Sequence, residues 1–293
     1  MKILNFGSVN IDYVFHVGEI ARPGQTISSM ASERYPGGKG FNQSLALSRA
    51  GAETFHAGTI GPDGLWLRRM LDEAGVDCTA LRTVPAGTGS AFIQIDAGGQ
   101  NCIVLNGGAN HENTRAFCEE TLERFSPGDI LLLQNEINEV GGLIDLGSRQ
   151  GMTVVLNPSP MNQDIFSYDL SRIDWFIMNE DEGQRLTGQE DPENILTHMT
   201  KKYPRSSTVL TLGEAGAAAV CQGRIFAQKA FPAKVVDTTG AGDTFTGFFL
   251  ARLAAGDGIP ACLETASLAA SIAVSRMGAG PSIPTLEDVR ARR

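Results

Sequence analysis

Between residues 110 and 212 the chain switches repeatedly between two apolar rhythms, and this alternation restricts the fold more than any other feature. Apolar residues three and four apart mark helices over 114–124, 139–150 and 193–202. Short apolar runs over 129–133, 153–156, 174–178 and 207–212 read as strands, with a short helix after 179–182. Successive strands separated by helices pair in parallel, because the helix carries the chain back to the starting edge of the sheet. The expected architecture is a doubly wound α/β fold, a mainly parallel sheet flanked by helices. Ligands of such sheets sit beyond the carboxyl ends of the strands. Polar clusters fall there four times, at 134–136, 157–160, 179–182 and 211–216. Unrelated loops have no reason to gather their polar groups at one edge.

The first hundred residues read differently. Buried strands are expected over 2–7 and 53–58, and helices over 40–50 and 63–74. Residues 13–17, 26–35, 88–95 and 100–106 are strand-like but rich in polar side chains. The last two flank an Ala-Gly-Gly-Gln turn at 97–100, a hairpin signal. Together they predict a small β-sheet lid, from about 11–35 and 88–106, on a single domain covering 1–293. A hairpin over 216–227 and an Ala-rich helix over 259–276 complete the chain.

Two glycine turns lead into helices. The first, Pro36-Gly-Gly-Lys-Gly-Phe-Asn-Gln43, is not a phosphate-binding P-loop, since no Ser or Thr follows Lys39. It is not a dinucleotide fingerprint either, because position 43 is Gln. The polar groups of Gly38, Lys39 and Asn42 suit a small polyhydroxylated ligand, or simply a capped loop. The second turn holds Gly240, Ala241 and Gly242 and runs into a helix beginning near Asp243. Helix N-termini carry unpaired amides and a partial positive charge, and glycine lets an anion come close. Asp243 stands where that anion belongs. A carboxylate there makes sense as a general base acting on whatever attacks a phosphate, or as a helix cap. Glu136 follows a run of three leucines at a ligand-binding edge. Asn10 and Asp12 lie two apart, on one face of an extended segment. Asn179 and Glu182 have capping-box spacing.

Composition excludes several roles. A net charge of −9 argues against non-specific nucleic-acid binding. No run approaches eighteen apolar residues, so no membrane span is expected. The five cysteines are odd in number and form no Cys-x-x-Cys pair, which suits a reducing, cytoplasmic setting. The four histidines have no metal-like spacing.

Gly-Gly-Lys-Gly-x-Asn near the start, Asn-x-x-Glu in the middle and Asp-Thr-x-Gly-Ala-Gly-Asp near the end occur in an order that resembles the ribokinase family of sugar kinases. The resemblance spans essentially the whole chain. Asn10, Asp12, Asn42 and Glu136 match the sugar-contacting positions of its ribose-phosphorylating members. It implies that Asp243 is the base and that the backbone of Gly240, Ala241 and Gly242 is the anion hole. It implies that Asn10, Asp12, Gly38, Lys39, Asn42 and Glu136 hold the sugar. Asn179, Thr211, Leu212, Gly213, Gly216 and Gly242 would line the nucleotide. Glu182 would be associated with Mg²⁺, and Asp237, Thr239, Ala273, Arg276, Gly278 and Ser282 with a monovalent cation, K⁺. ATP would be the co-substrate, and the lid would also make a homodimer contact. Phe41 departs from the pattern, which has a small residue there; its ring would line the sugar site or face the core.

The implied reaction moves the γ-phosphoryl of ATP to the primary hydroxyl of a pentose, D-ribose giving ribose 5-phosphate. Two alternatives stand beside it: a kinase for another free sugar or a nucleoside, and a sugar-binding regulator without catalysis.

Overall fold

The computed structural model describes residues 1–292. In chain order the strands are β1 (Ile3–Phe6), β2 (Asn10–His16), β3 (Ala31–Gly37), β4 (Thr54–Ile60), β5 (Asp77–Thr83), β6 (Gly89–Ile95), β7 (Asn101–Asn106), β8 (Ile130–Gln134), β9 (Thr153–Asn157), β10 (Trp175–Asn179), β11 (Ser207–Thr211), β12 (Ala217–Cys221) and β13 (Arg224–Gln228). The helices are α1 (Lys39–Arg49), α2 (Leu65–Glu73), α3 (Arg115–Leu122), α4 (Val140–Arg149), α5 (Glu180–Thr187), α6 (Pro192–Lys202), α7 (Ala241–Ala254), α8 (Ile259–Ala273) and α9 (Leu286–Ala291).

Nine strands form the main sheet in the order β13-β12-β11-β10-β9-β8-β1-β4-β5. All neighbours from β11 to β5 pair in parallel, and the β12–β13 hairpin adds an antiparallel edge. Continuous apolar runs build this sheet because both faces are covered. In β8, Ile130 and Leu132 pack into one core with α1, α2, α7 and α8, while Leu131 and Leu133 pack into the other with α3, α4 and α6. The period-two alternation of the strand thus appears as a choice between two cores, both apolar. Helix α7 is buried without a break from Asp243 to Ala251, so its sequence carries no polar stripe.

The chain starts in the middle of the sheet at β1 and winds outward both ways. The strand order therefore switches between β1 and β8, where such sheets open a crevice at their carboxyl edge. Register keeps the polar residues at that edge level: Gln134 pairs with Asn157, and Asn179 with Thr211.

The lid is a separate four-stranded sheet, ordered β3-β2-β6-β7. Its strands fall near the expected places, but β2 starts at Asn10 rather than residue 13, and β3 runs Ala31–Gly37 rather than 26–35. Two elements were not anticipated from the sequence. Strand β5 is a partly exposed edge strand whose mixed residues show no clean alternation. Helix α9 has six residues, too few for a periodic signal, and is fixed by a capping box between Thr285 and Asp288. The Ala-rich helix α8 ends at Ala273, three residues early.

Candidate active site

Both glycine turns start helices that meet over the carboxyl edge. Helix α1 begins after Gly38, whose φ of 89° is a left-handed conformation. Its first amides point at the β1–β8 switch. Lys39 N–H donates to Glu136 Oε2 at 2.9 Å, and Phe41 N–H donates to Ser8 O at 2.8 Å. Ser8 Oγ–H also donates to Glu136 Oε2. Oε1 of Glu136 accepts no bond among the described residues and remains for a ligand.

Helix α7 begins after Gly240, at φ 76°, with no side-chain cap. Asp243 is therefore not the cap. It lies in the first turn and reaches outward to α1, where Asn42 Nδ2 donates to its Oδ2 at 3.1 Å and Gln43 Nε2 to its Oδ1 at 2.9 Å. The anion turn is narrower than expected. Ala241 N–H is engaged by Thr238 O at 3.2 Å, whereas the amides of Gly242 and Asp243 have no carbonyl partner among the described residues. Gly242 has open space where a Cβ would stand, so an anion can approach.

The sugar set converges on the crevice. A Cβ on Gly37 would strike the Asp12 carboxylate at 2.2 Å, so that glycine lets the acid lie against the strand. Burial, and then the nearby Glu136 charge, push the Asp12 carboxyl up to about 7. Burial also raises Glu136, against the opposing pull of Lys39 and Ser8. Burial alone would lower the Lys39 ammonium, but Asp243, Glu136 and Glu182 outweigh it and hold it above its ordinary value. Lys39 is thus a cation held among three carboxylates. Asn10 Oδ1 accepts from Asn110 Nδ2 at 2.7 Å, which leaves the Asn10 N–H groups for a ligand oxygen.

Two cavities adjoin at Thr211, Thr238 and Gly242. One, of about 510 Å³, is an apolar slot walled by Phe231, Val235, Phe245, Ala270 and Val274, with Gly213 and Gly216 at its rim. The other, of about 240 Å³, is polar and lined by Lys39, Asn157, Asn179, Glu182 and Asp243. Together they fit a planar base and its phosphates. Leu212 differs from the rest of the nucleotide set: its side chain packs into the second core.

Asn179 and Glu182 do form the capping box, with Glu182 N–H donating to Asn179 Oδ1 at 2.8 Å and Asn179 N–H to Glu182 Oε2 at 3.0 Å. Glu182 still lines the polar cavity. Glu182 supplies a hard oxygen donor that fits Mg²⁺. Among the described residues no group of three or more His, Cys, Asp or Glu could hold a metal, so phosphate and water would complete the shell.

Behind the turn, Asp237 accepts from Thr239 N–H at 2.9 Å, Thr239 Oγ1–H at 2.6 Å and Gly278 N–H at 2.9 Å. All three donors are neutral, so the carboxylate charge beside this loop suits a monovalent cation. Ser282 Oγ–H is turned to Ala279 O, and the Ala273 carbonyl already accepts from Arg276 N–H. The Arg276 side chain points away to Asp288, at 3.4 Å. This group abuts the anion turn, since a Cβ on Gly240 would lie 3.0 Å from Ala279.

The Phe41 ring is fully buried in the first core, so it does not line the sugar site. Ser8, Gln43 and Asn110 escaped the sequence reading as site residues, and Asn157 entered it only as part of the polar cluster 157–160. Each looks like an ordinary polar residue until folding brings distant segments together.

A carboxylate beside open helix amides, between a polar crevice and an apolar slot, is an arrangement suited to a phosphotransferase that uses a nucleotide. The model of the pfkB family carbohydrate kinases matches residues 1–286. The chain is 33% identical to the ribokinase of Haemophilus influenzae, over 96% of this chain and 95% of that protein. The ribokinase of Cryptococcus neoformans, solved with ADP, superposes with a TM-score of 0.87 at 33% identity, covering 100% of this chain and 99% of the other. The ribokinase of Arabidopsis thaliana, solved with ribose and ATP, gives a TM-score of 0.86 at 30% identity, covering 99% and 97%. The chain belongs to the pfkB family of carbohydrate kinases. It is an ATP-dependent sugar kinase of the ribokinase type.

Proposed function

We propose that the protein transfers the γ-phosphoryl of ATP to the primary hydroxyl of D-ribose, giving ribose 5-phosphate, with Asp243 as general base. The observation that carries this is Asp243 itself, a buried acid beside the unpaired amides of Gly242 and its own N–H. The hydroxyl proton passes to the Asp243 carboxylate as the new O–P bond forms, and ADP leaves with the bridging oxygen. Phosphoryl transfer asks mainly for alignment and charge neutralisation. The α7 amides and Lys39 supply positive potential at the transferring group. Mg²⁺, when bound near Glu182, would neutralise phosphate charge.

Asn10, Asp12, Gly38, Asn42 and Glu136 would hold the sugar hydroxyls. The Arabidopsis relative was solved with ribose and ATP, the same two substrates proposed here. Free acceptor oxygens on Asp12 and Glu136 favour a free sugar over a nucleoside, which needs an apolar slot for its base. The neutral surroundings of Asp237 support K⁺ as an activator. Exposed Phe92, Ile103, Val104 and Leu105 on the lid support a homodimer through that sheet. All five cysteines are unpaired, which favours the cytoplasm.

The test is ADP release over a panel of free sugars and nucleosides, in Na⁺ and in K⁺. Ribose should lead, and K⁺ should raise its rate; a nucleoside turned over faster would sink the substrate assignment, and a flat response the cation. Asp243→Asn should lower kcat by about 10²–10⁴-fold with the fold intact. Near-normal turnover in that variant would remove the base.

A further inference from the structure

A line of buried carboxamides leads from the middle of the sheet to Asp243, and each has one possible direction. Asn5 on β1 spends both Nδ2 hydrogens, on Gly40 O at 2.8 Å and Ser44 Oγ at 2.9 Å. Its Oδ1 accepts from Gln134 Nε2 at 2.8 Å, and the other hydrogen of that nitrogen goes to Gln43 Oε1 at 2.7 Å. Gln43 Nε2 then donates to Asn157 Oδ1 at 3.0 Å and to Asp243 Oδ1 at 2.9 Å. Asn157 Nδ2 is committed to Ile177 O at 2.9 Å, so its oxygen must face Gln43.

The far end closes on a serine and a histidine. Ser44 Oγ lies 2.7 Å from His56 Nδ1, and burial pushes His56 down to about 3. The ring is therefore neutral, and its Nδ1 can accept the Ser44 proton while Ser44 accepts from Asn5. Turning any one amide over would set N–H against N–H, or oxygen against oxygen, among groups packed in the core. Asn5 and Gln43 are wholly buried and Gln134 is 1% exposed. A buried polar chain of this kind costs desolvation that Leu or Met would not. Filling the core does not require it. Ordinary polar satisfaction would not require its last bond to fall on the one acid at the anion turn.

We propose that Gln43, aimed by Gln134 and Asn5, is a positioning residue that fixes the Asp243 carboxylate in the plane needed to take the sugar proton. This rests on Asp243 being the base. Gln43 presents only N–H to that acid, which holds the carboxylate in a single rotamer.

The experiment compares Gln43→Met, Gln43→Glu and Asp243→Asn by kcat, by KM for sugar and ATP, and by the pH dependence of kcat, per ADP-binding site. Gln43→Met should lower kcat by about 10–100-fold, the scale of a misplaced reacting group, with both KM values within about threefold. Gln43→Glu keeps the shape but sets a second carboxylate against Asp243, so the acid limb of kcat should move to higher pH. In the Asp243→Asn background, Gln43→Met should cause no further loss. If Asp243→Asn is active, the base assignment fails. If Asp243→Asn is dead while Gln43→Met keeps wild-type kcat per site, the positioning role alone fails. A fall in melting temperature with unchanged kcat per site and an unmoved pH limb also overturns it. Should Gln43→Met not fold, Gln134→Met decides: it frees Gln43 to turn over, and an unchanged kcat there refutes the proposal.

Discussion

At the scale of single residues, the site works by holding charges in places where water cannot relax them. Asp12 is the clearest case. Its carboxyl is raised to about 7 from 3.8, so the folded protein prefers it protonated. The unfolded chain ionises near 4, the folded chain near 7, and Asp12 therefore takes stability away as pH rises through that window. Asp12→Asn should stabilise the free protein at pH 8 and have little effect at pH 4, measured by urea unfolding. The ionised acid offers both oxygens purely as acceptors, whereas the protonated acid turns one of them into a donor. Thus kcat/KM for the sugar should climb as pH rises through about 7, and the climb should vanish in Asp12→Asn. A wild-type profile flat from pH 6 to 8 would contradict the buried environment assigned to this acid.

At the scale of elements, the site exists because two helices cross closely. A Cβ on Gly247 in α7 would lie 2.4 Å from Ala46 Cβ and 2.9 Å from Leu47 N in α1. The missing side chain lets α1 bring Asn42 and Gln43 to Asp243. Gly247→Ala should cost about 1–3 kcal/mol, the range for overpacking, since backbone cannot yield as a flexible side chain can. It should also lower kcat by separating α1 from Asp243. Wild-type melting temperature and kcat together would show that the crossing tolerates a methyl group. Much at this scale was legible beforehand. The glycine turns were found because φ near 80° at Gly38 and Gly240 is a local demand that only certain residues meet. Gly247 was not, because its constraint comes from a helix two hundred residues away.

At the scale of the whole molecule, the lid is a second sheet tied to the first core by Ile11 and Tyr13 of β2, and its strand β3 leads directly into α1. All six residues of β7 are exposed, including Ile103, Val104 and Leu105. An apolar edge of this kind invites pairing with another copy. Sedimentation should find the wild type dimeric, and Ile103→Glu combined with Val104→Glu, one charge on each face of the strand, should shift it to monomer. A monomeric wild type would leave the lid face unexplained.

The sequence by itself settled the fold class, and it located the two helix-start turns and the polar groups at the carboxyl edge of the sheet. These depend on period, on backbone conformation and on the order of residues along the chain, all of which are local. Only the tertiary structure decided which groups face one another. It showed that Asp243 is held by side chains of α1 rather than capping its own helix, that Phe41 belongs to the core, and that Asn179 and Glu182 cap a helix at the cavity wall. It also revealed the amide line through Gln43, because hydrogen bonds between residues 91 and 200 positions apart leave no trace in spacing.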